Sequence, residues 1–345
     1  YSIKVRKQGD YFVDDTATGV TLNTLRADQR DIFEQLQDIE QLHSDVLFSL
    51  GHKLAIDKCS FYAADYIRGK IQHEHKLIHE LPGTVHIREG HTSHPTNVKR
   101  LQPFQAHKTL GCHIALDSNQ KRQFIVLNDK LKTWNSKIVS SFLNKKDRIK
   151  SYEAYMAKSG QYILSTSSLS KKQCHELDKN VTPILYNAHG VQRNSSKCML
   201  YSPVQYGGYG HHDFWSTQGI EKLKFFLTHY RRHDTTGRLL KMSMRWTQLE
   251  CGLSTPFYTN IFEKYNYVLT PTWVTHLWEY LDSCQAAIEE KNSWIYEAPR
   301  ENDTFLMDVI MNAPISNEHK MIFNEIRLHL KLITASDIVT LDTGC

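Results

Sequence analysis

Ile32, Leu36, Ile39, Leu42, Val46 and Leu50 recur at steps of three and four residues, which predicts an amphipathic helix over about 25–50 lying on one face of a sheet. Gly51 follows the last apolar position and is placed to close that helix in the left-handed conformation. Ahead of it, Asp10 to Val13 and the Thr-rich stretch Thr16 to Leu22 read as two strands of a hairpin whose tip is acidic. Beyond Gly51, Leu54-Ala55-Ile56 is short enough for an edge strand. Phe124, Leu127, Leu131, Trp134, Ile138 and Phe142 form a second helical stripe, predicted to be core. Further helices are expected from Asp147 through Ile149, Tyr152 and Tyr155 to Gly160, and after Ser170-Lys171-Lys172-Gln173, a capping-box pattern ahead of Cys174, Leu177 and Val181. Ile220, Leu223, Leu227 and Tyr230 mark another, ending in Arg231-Arg232-His233 where cations suit the helix dipole. Thr270-Pro271 opens one carrying Val274, Leu277, Leu281, Cys284 and Ile288. Last, Ile326, Leu328, Leu330 and Leu332 alternate with polar residues and predict a closing strand.

Composition narrows the class. The 345 residues are 40% hydrophobic and 23% charged, which is globular material with apolar mass for two or three cores and is neither disordered nor fibrous. No apolar run reaches the roughly 18 residues of a membrane span, and no cleavable leader is visible. The seven cysteines are scattered without a C-x-x-C pair, so free thiols in a reducing, intracellular compartment (cytoplasm or nucleus) are expected, with no membrane partner. Charge is segregated: residues 1–116 hold 14 Lys+Arg against 14 Asp+Glu, residues 117–250 hold 22 against 10, and residues 251–345 hold 6 against 13. A middle region at +12 between neutral and acidic flanks is the footprint of a surface that follows a phosphate backbone; a solvated lysine-rich helix face is the plainer alternative. The acidic balance of 251–345 argues against nucleic-acid contact there and suits a protein partner or a dock against the basic middle.

Candidate chemistry sits near the amino terminus, at Phe12-Val13-Asp14-Asp15. Adjacent carboxylates on a rigid turn can hold Mg²⁺, the ion that phosphoryl-transfer enzymes use to stabilise attacking and leaving oxygens, although Asp-Asp between two strands is also a common plain turn. Two further motifs come after it in order: the helix ending at Gly51 with Leu54, Ile56 and Lys58-Cys59, and the Thr109-Leu110-Gly111-Cys112 pair before a hairpin.

In that order the three motifs resemble a reverse transcriptase, the RNA-directed DNA polymerase of retroelements, and most closely the non-LTR type. The resemblance runs from residue 1 to about residue 145 and fades into a general similarity to the helical thumb. It implies an α+β fold: a partial polymerase palm of hairpin, helix and short antiparallel strands over 1–116, a basic thumb-like helical region over 117–250, and an acidic helical extension over 251–345. It makes Asp14 and Asp15 metal ligands for Mg²⁺, with Mn²⁺ as an alternative ion, and sets Lys58 beside the incoming deoxynucleoside triphosphate. Leu110 and Gly111 would grip the primer end. Lys121, Arg122, Lys130, Lys132, Lys137, Arg231 and Arg232 would contact an RNA template paired with a DNA primer, reading shape and backbone. Family members supply a further metal-binding aspartate from a strand upstream of the hairpin, and only ten residues lie ahead of Tyr11-Phe12. The expectation is therefore a C-terminal part of a longer polymerase that does not extend primers alone. A non-catalytic remnant that keeps only the duplex-binding surface is the alternative.

Two other patterns carry less. His73-Glu74-His75, His79-Glu80, His86, His91 and His94 invite a zinc site, but the spacing does not fit a helical metalloprotease and Pro82 would end any helix. Tyr206-Gly207-Gly208-Tyr209-Gly210 lacks the trailing Lys-Ser/Thr of a phosphate loop and predicts a sharp turn.

Overall fold

Helices make up most of the described chain and its strands are short, an α+β composition. The computed structural model describes residues 10–12, 15–17, 30–63, 65–66, 73–74, 77–88, 94–289 and 293–339, and of residues 10–12, 15–17, 30–31, 65–66 and 73–74 the backbone alone. The chain forms two units, Tyr1–Arg122 and Gln123–Cys345.

The strands of the first unit are β1 (Asp10–Phe12), β2 (Asp15–Ala17), β3 (Ser60–Phe61), β4 (Asp65–Tyr66), β5 (His73–Glu74), β6 (His86–Ile87), β7 (Thr96–Asn97), β8 (Lys99–Arg100), β9 (His107–Thr109) and β10 (Cys112–Ile114). They pair two by two: β1 with β2, β4 with β5, β6 with β7 and β9 with β10 antiparallel, and β3 with β8 parallel. Phe12 faces Asp15 across β1 and β2, so Asp15 belongs to a strand, while Val13 and Asp14 lie outside the described residues.

Helix α1 (Arg30–Ser49) forms within the segment that the periodicity predicts. It ends as expected: Gly51 is left-handed at φ 81°, and His52 N–H donates to the Leu47 carbonyl while Gly51 N–H donates to Phe48, the double closure of a Schellman turn. Its predicted stripe is only half used. Phe33 is buried and Ile32 and Leu36 pack beside it, whereas Ile39, Leu42, Val46 and Leu50 are exposed. The reason is that the core gathers at Phe33, with Ile56, Leu81, Val85, Ile87 and Val98. Gly83 is required there, because a Cβ on it would stand 2.4 Å from the Phe33 ring. The edge strand expected at Leu54 to Ile56 is instead a bend followed by a 3-10 turn, Ile56–Lys58, in which Lys58 N–H donates to the Ala55 carbonyl. Buried Ile56 anchors that turn from below.

The helices after β10 are α2 (Lys121–Ser140), α3 (Lys145–Ser151), α4 (Lys158–Leu164), α5 (Lys171–His189), α6 (Cys198–Tyr201), α7 (Phe214–His229), α8 (Thr235–Cys251), α9 (Phe262–Tyr265), α10 (Trp273–Ser283), α11 (Leu306–Asn312) and α12 (Asn317–Leu330). A π-helical turn, Tyr152–Ala157, joins α3 to α4 in one continuous rod, so the helix expected over Asp147 to Gly160 is present with a widened middle. Leu127, Leu131, Met156, Leu164, Leu177 and Leu185 centre one core of the second unit, and Phe257, Leu277, Trp278 and Met307 centre another. The Ser170–Gln173 capping box forms as predicted, both halves of it. The Gly207 to Gly210 turn also forms: Gly207 and Gly210 are left-handed, and Gly208 packs directly on the Ser202 backbone.

Four expectations are corrected in this unit. Phe142 lies past the end of α2 and is fully exposed, while Leu127, Leu131 and Ile138 are buried. On α7 the buried face is Phe214, Trp215, Gln218, Gly219, Lys222 and Phe226, and Leu227 of the predicted stripe is exposed. Two local contacts fix that rotation: Gly219 receives the Tyr280 ring, which any Cβ would clash with, and the buried Asp178 carboxylate accepts the Phe214 N–H at 3.0 Å. The cap of α10 is Thr272, boxed with Thr275, two residues later than Thr270-Pro271 suggests, and Cys284 and Ile288 fall at and beyond its end. The predicted closing strand is the last turns of α12. Of the alternating residues, Ile326 and Leu330 are exposed, Leu328 is half-buried and Leu332 follows the helix, while Phe323, Asn324 and Arg327 face inward.

Candidate functional site

The hairpin of β9 and β10 turns at Leu110-Gly111, with Thr109 paired to Cys112. Both turn residues are left-handed, at φ 49° and 83°, the two-residue geometry whose twist matches that of the strands it joins. Glycine adopts it freely, but a leucine there costs about 1–2 kcal/mol, and the Leu110 side chain is exposed.

This hairpin forms one wall of a cleft of about 270 Å³ within the first unit. Lys108 and His107 come from β9 and His113 from β10; Lys58 comes from the 3-10 turn, Lys99 from β8, and Arg122 from the first turn of α2. Four permanent cations therefore face the single carboxylate of Asp57. The parallel pairing of Ser60 with Lys99 brings the two otherwise distant segments side by side. Ser60 Oγ and His107 Nδ1 share a hydrogen bond of 2.8 Å across the floor. Burial holds the His113 imidazole below its ordinary titration range, and Arg122, Lys108 and His107 push it the same way, so it is neutral at pH 7 and can give or take a hydrogen bond. Cys59 is not a reactive nucleophile: burial raises its thiol, and Glu40 and Asp57 add to that. The arrangement can bind anions, with lysines and an arginine for charge and neutral hydrogen-bonding groups between them.

Of the residues singled out from the sequence, Lys58 and Arg122 meet in this cleft, whereas Leu110 and Gly111 do not line it: the hairpin enters it through His107, Lys108 and His113 of its strands. Lys121, Lys130, Lys132 and Lys137 are exposed on the solvent half of α2 and do not line it, and Arg231 and Arg232 are exposed just after α7. Asp14 lies outside the described residues, and Asp15 is described in backbone only. Among the described residues no group of three or more His, Cys, Asp or Glu side chains could hold a metal ion, and His79, His86 and His94 are dispersed and exposed.

Set against protein-family models, curated proteins and solved structures, the chain finds no match in any of the three. Among the described residues no helix is long and apolar enough to cross a membrane, and the six cysteines described form no disulfide.

Lys99, Lys108, His107 and His113 were not singled out from the sequence. A signal for two of them was present, since His107-Lys108 directly precedes the Thr109-Leu110-Gly111 motif. Lys99 had none, because only the β3–β8 pairing brings it to Lys58.

Proposed function

We propose that the chain is the nucleic-acid-handling part of a retroelement RNA-directed DNA polymerase of the non-LTR type. The observation that supports this reading is the basic cleft, where Lys58 comes together with Arg122 and with Lys108 from the strand that leads into the Leu110-Gly111 turn. In the proposal Lys58 stands beside the triphosphate of the incoming nucleotide, Lys108 and Arg122 take phosphates near the primer end, and the hairpin holds that end in place. The exposed lysines of α2 then follow the backbone of the RNA/DNA duplex. Mg²⁺ at Asp14 and Asp15 would neutralise phosphate charge; both side chains lie outside the described residues.

The test is fluorescence anisotropy with a labelled RNA/DNA hybrid over a salt series. Binding should weaken steeply with salt, and Lys108→Ala and Arg122→Ala should each lower the slope of log affinity against log salt by about 0.9. Affinity that does not change between low and physiological salt would overturn the reading. For the catalytic half, Asp14→Asn in the complete polymerase should abolish primer extension while leaving hybrid affinity intact, and normal extension by that variant would remove it.

A further inference from the structure

The second unit carries a surface feature that the cleft does not use. Trp134 of α2 and Tyr155 of the π-helical turn stack with ring centroids 4.6 Å apart and an interplanar angle of 17°. Lys137 Nζ lies 5.3 Å from the Trp134 ring, held there by the ring's electron-rich face. Trp134 is half-buried, but Tyr155 is 51% exposed. An exposed aromatic ring already stacked on one side can extend that stack with another flat ring. Tyr155 lies within the π-helical turn, and such turns recur at functional sites. Lys158 lies one turn beyond Tyr155 and is exposed, and Tyr162, 58% exposed, stands about 10 Å further along the same rod. All of this falls within the region that carries 22 Lys+Arg against 10 Asp+Glu.

We propose that the Trp134–Tyr155 stack is a landing site for an unpaired base of single-stranded nucleic acid, with Lys158 taking a flanking phosphate. The inference rests on the nucleic-acid reading above but assigns a different ligand form to a different place. Bases buried in a duplex cannot offer a free face to Tyr155, whereas every unpaired base can, whatever its identity, which makes the site tolerant of sequence. A template strand ahead of the point of copying is the chemistry that fits.

The experiment uses the full chain and labelled oligo(dT) and oligo(U), with an abasic oligonucleotide of equal length as the third probe. Wild type should bind the abasic strand about tenfold more weakly than oligo(dT), the expected loss when a base no longer stacks. Tyr155→Phe should match wild type. Tyr155→Ala should bind oligo(dT) and the abasic strand alike, and should bind the RNA/DNA hybrid as wild type does. Equal binding of abasic and base-bearing strands by wild type would overturn the inference, as would an oligo(dT) affinity unchanged by Tyr155→Ala. Failure of the cleft proposal reads out separately, as hybrid binding insensitive to Lys108→Ala. Preference for oligo(dT) or oligo(U) only decides whether DNA or RNA is the strand held.

Discussion

Replacing Lys222 by methionine should stabilise the protein and flatten its dependence on alkaline pH. Lys222 sits on α7 with no exposed surface, its Nζ donating to Ser168 Oγ at 2.7 Å and lying 5.2 Å from the Trp273 ring. Burial lowers its pKa from 10.5 to about 7, against smaller opposing effects of Cys174 and Glu279. The unfolded lysine keeps its proton up to the higher value and the folded one releases it near the lower. Between them the unfolded state binds more protons, so stability rises with pH across that window. Each pH step is worth up to about 1.4 kcal/mol, and half a proton is already lost at the start, so wild type should gain about 2 kcal/mol from this group between about pH 7 and pH 9. Methionine fills nearly the same volume and titrates nothing, so it lacks that gain. Its absolute benefit at neutral pH is smaller than the full desolvation cost, because the Ser168 hydrogen bond, worth about 1 kcal/mol, is lost with the ammonium. Urea unfolding of both proteins at the two pH values isolates the effect, since every other titrating group is common to the pair. A Lys222→Met protein with the wild-type pH slope, or one less stable at both values, would refute the reasoning.

Two further outcomes bear on the cleft. Leu110→Asn places an Asn-Gly pair in the turn and should raise stability by about 1 kcal/mol in denaturant titration while weakening hybrid binding, because the residue it removes occupies a strained conformation at the proposed grip; a less stable variant would show that the turn is not strained. Hybrid affinity should also strengthen as pH is taken below the ordinary histidine range, since the depressed His113 then gains a charge facing the phosphates, and His113→Asn should reduce that dependence in the same anisotropy assay.

Local chemistry was readable from the chain, and long-range chemistry was not. The Ser170 box, the Gly51 closure and the Gly207 to Gly210 turn depend on residues within a few positions of one another, so their pattern states their geometry, while Leu110-Gly111, expected to lead into a hairpin, is its turn. The cleft depends on Ser60 finding Lys99 in parallel register, and no period along the sequence announces that pairing. The buried face of α7 was misjudged because only its aliphatic and aromatic residues were counted as inward, whereas the Tyr280 ring against Gly219 and the Asp178 carboxylate at the Phe214 N–H set the rotation from other helices. Alternation misled at α12 for a related reason. A helix that buries Asn324 and Arg327 leaves its aliphatic residues outside, so polarity along it no longer reports which side is in. The stacked pair was hidden because Trp134 and Tyr155 belong to separate helical segments, and no period along the chain states that the two meet.

The inward Arg327 has a consequence for how the protein is made. Its guanidinium donates to the main-chain carbonyls of Leu249 and Glu250, closing the end of α8 from 77 and 78 residues further along. At ordinary elongation rates the ribosome needs roughly 4 to 15 seconds to cover that distance. During this interval the carbonyls of Leu249 and Glu250 lack the Arg327 guanidinium, and a message cut short before the Arg327 codon would leave them without it permanently.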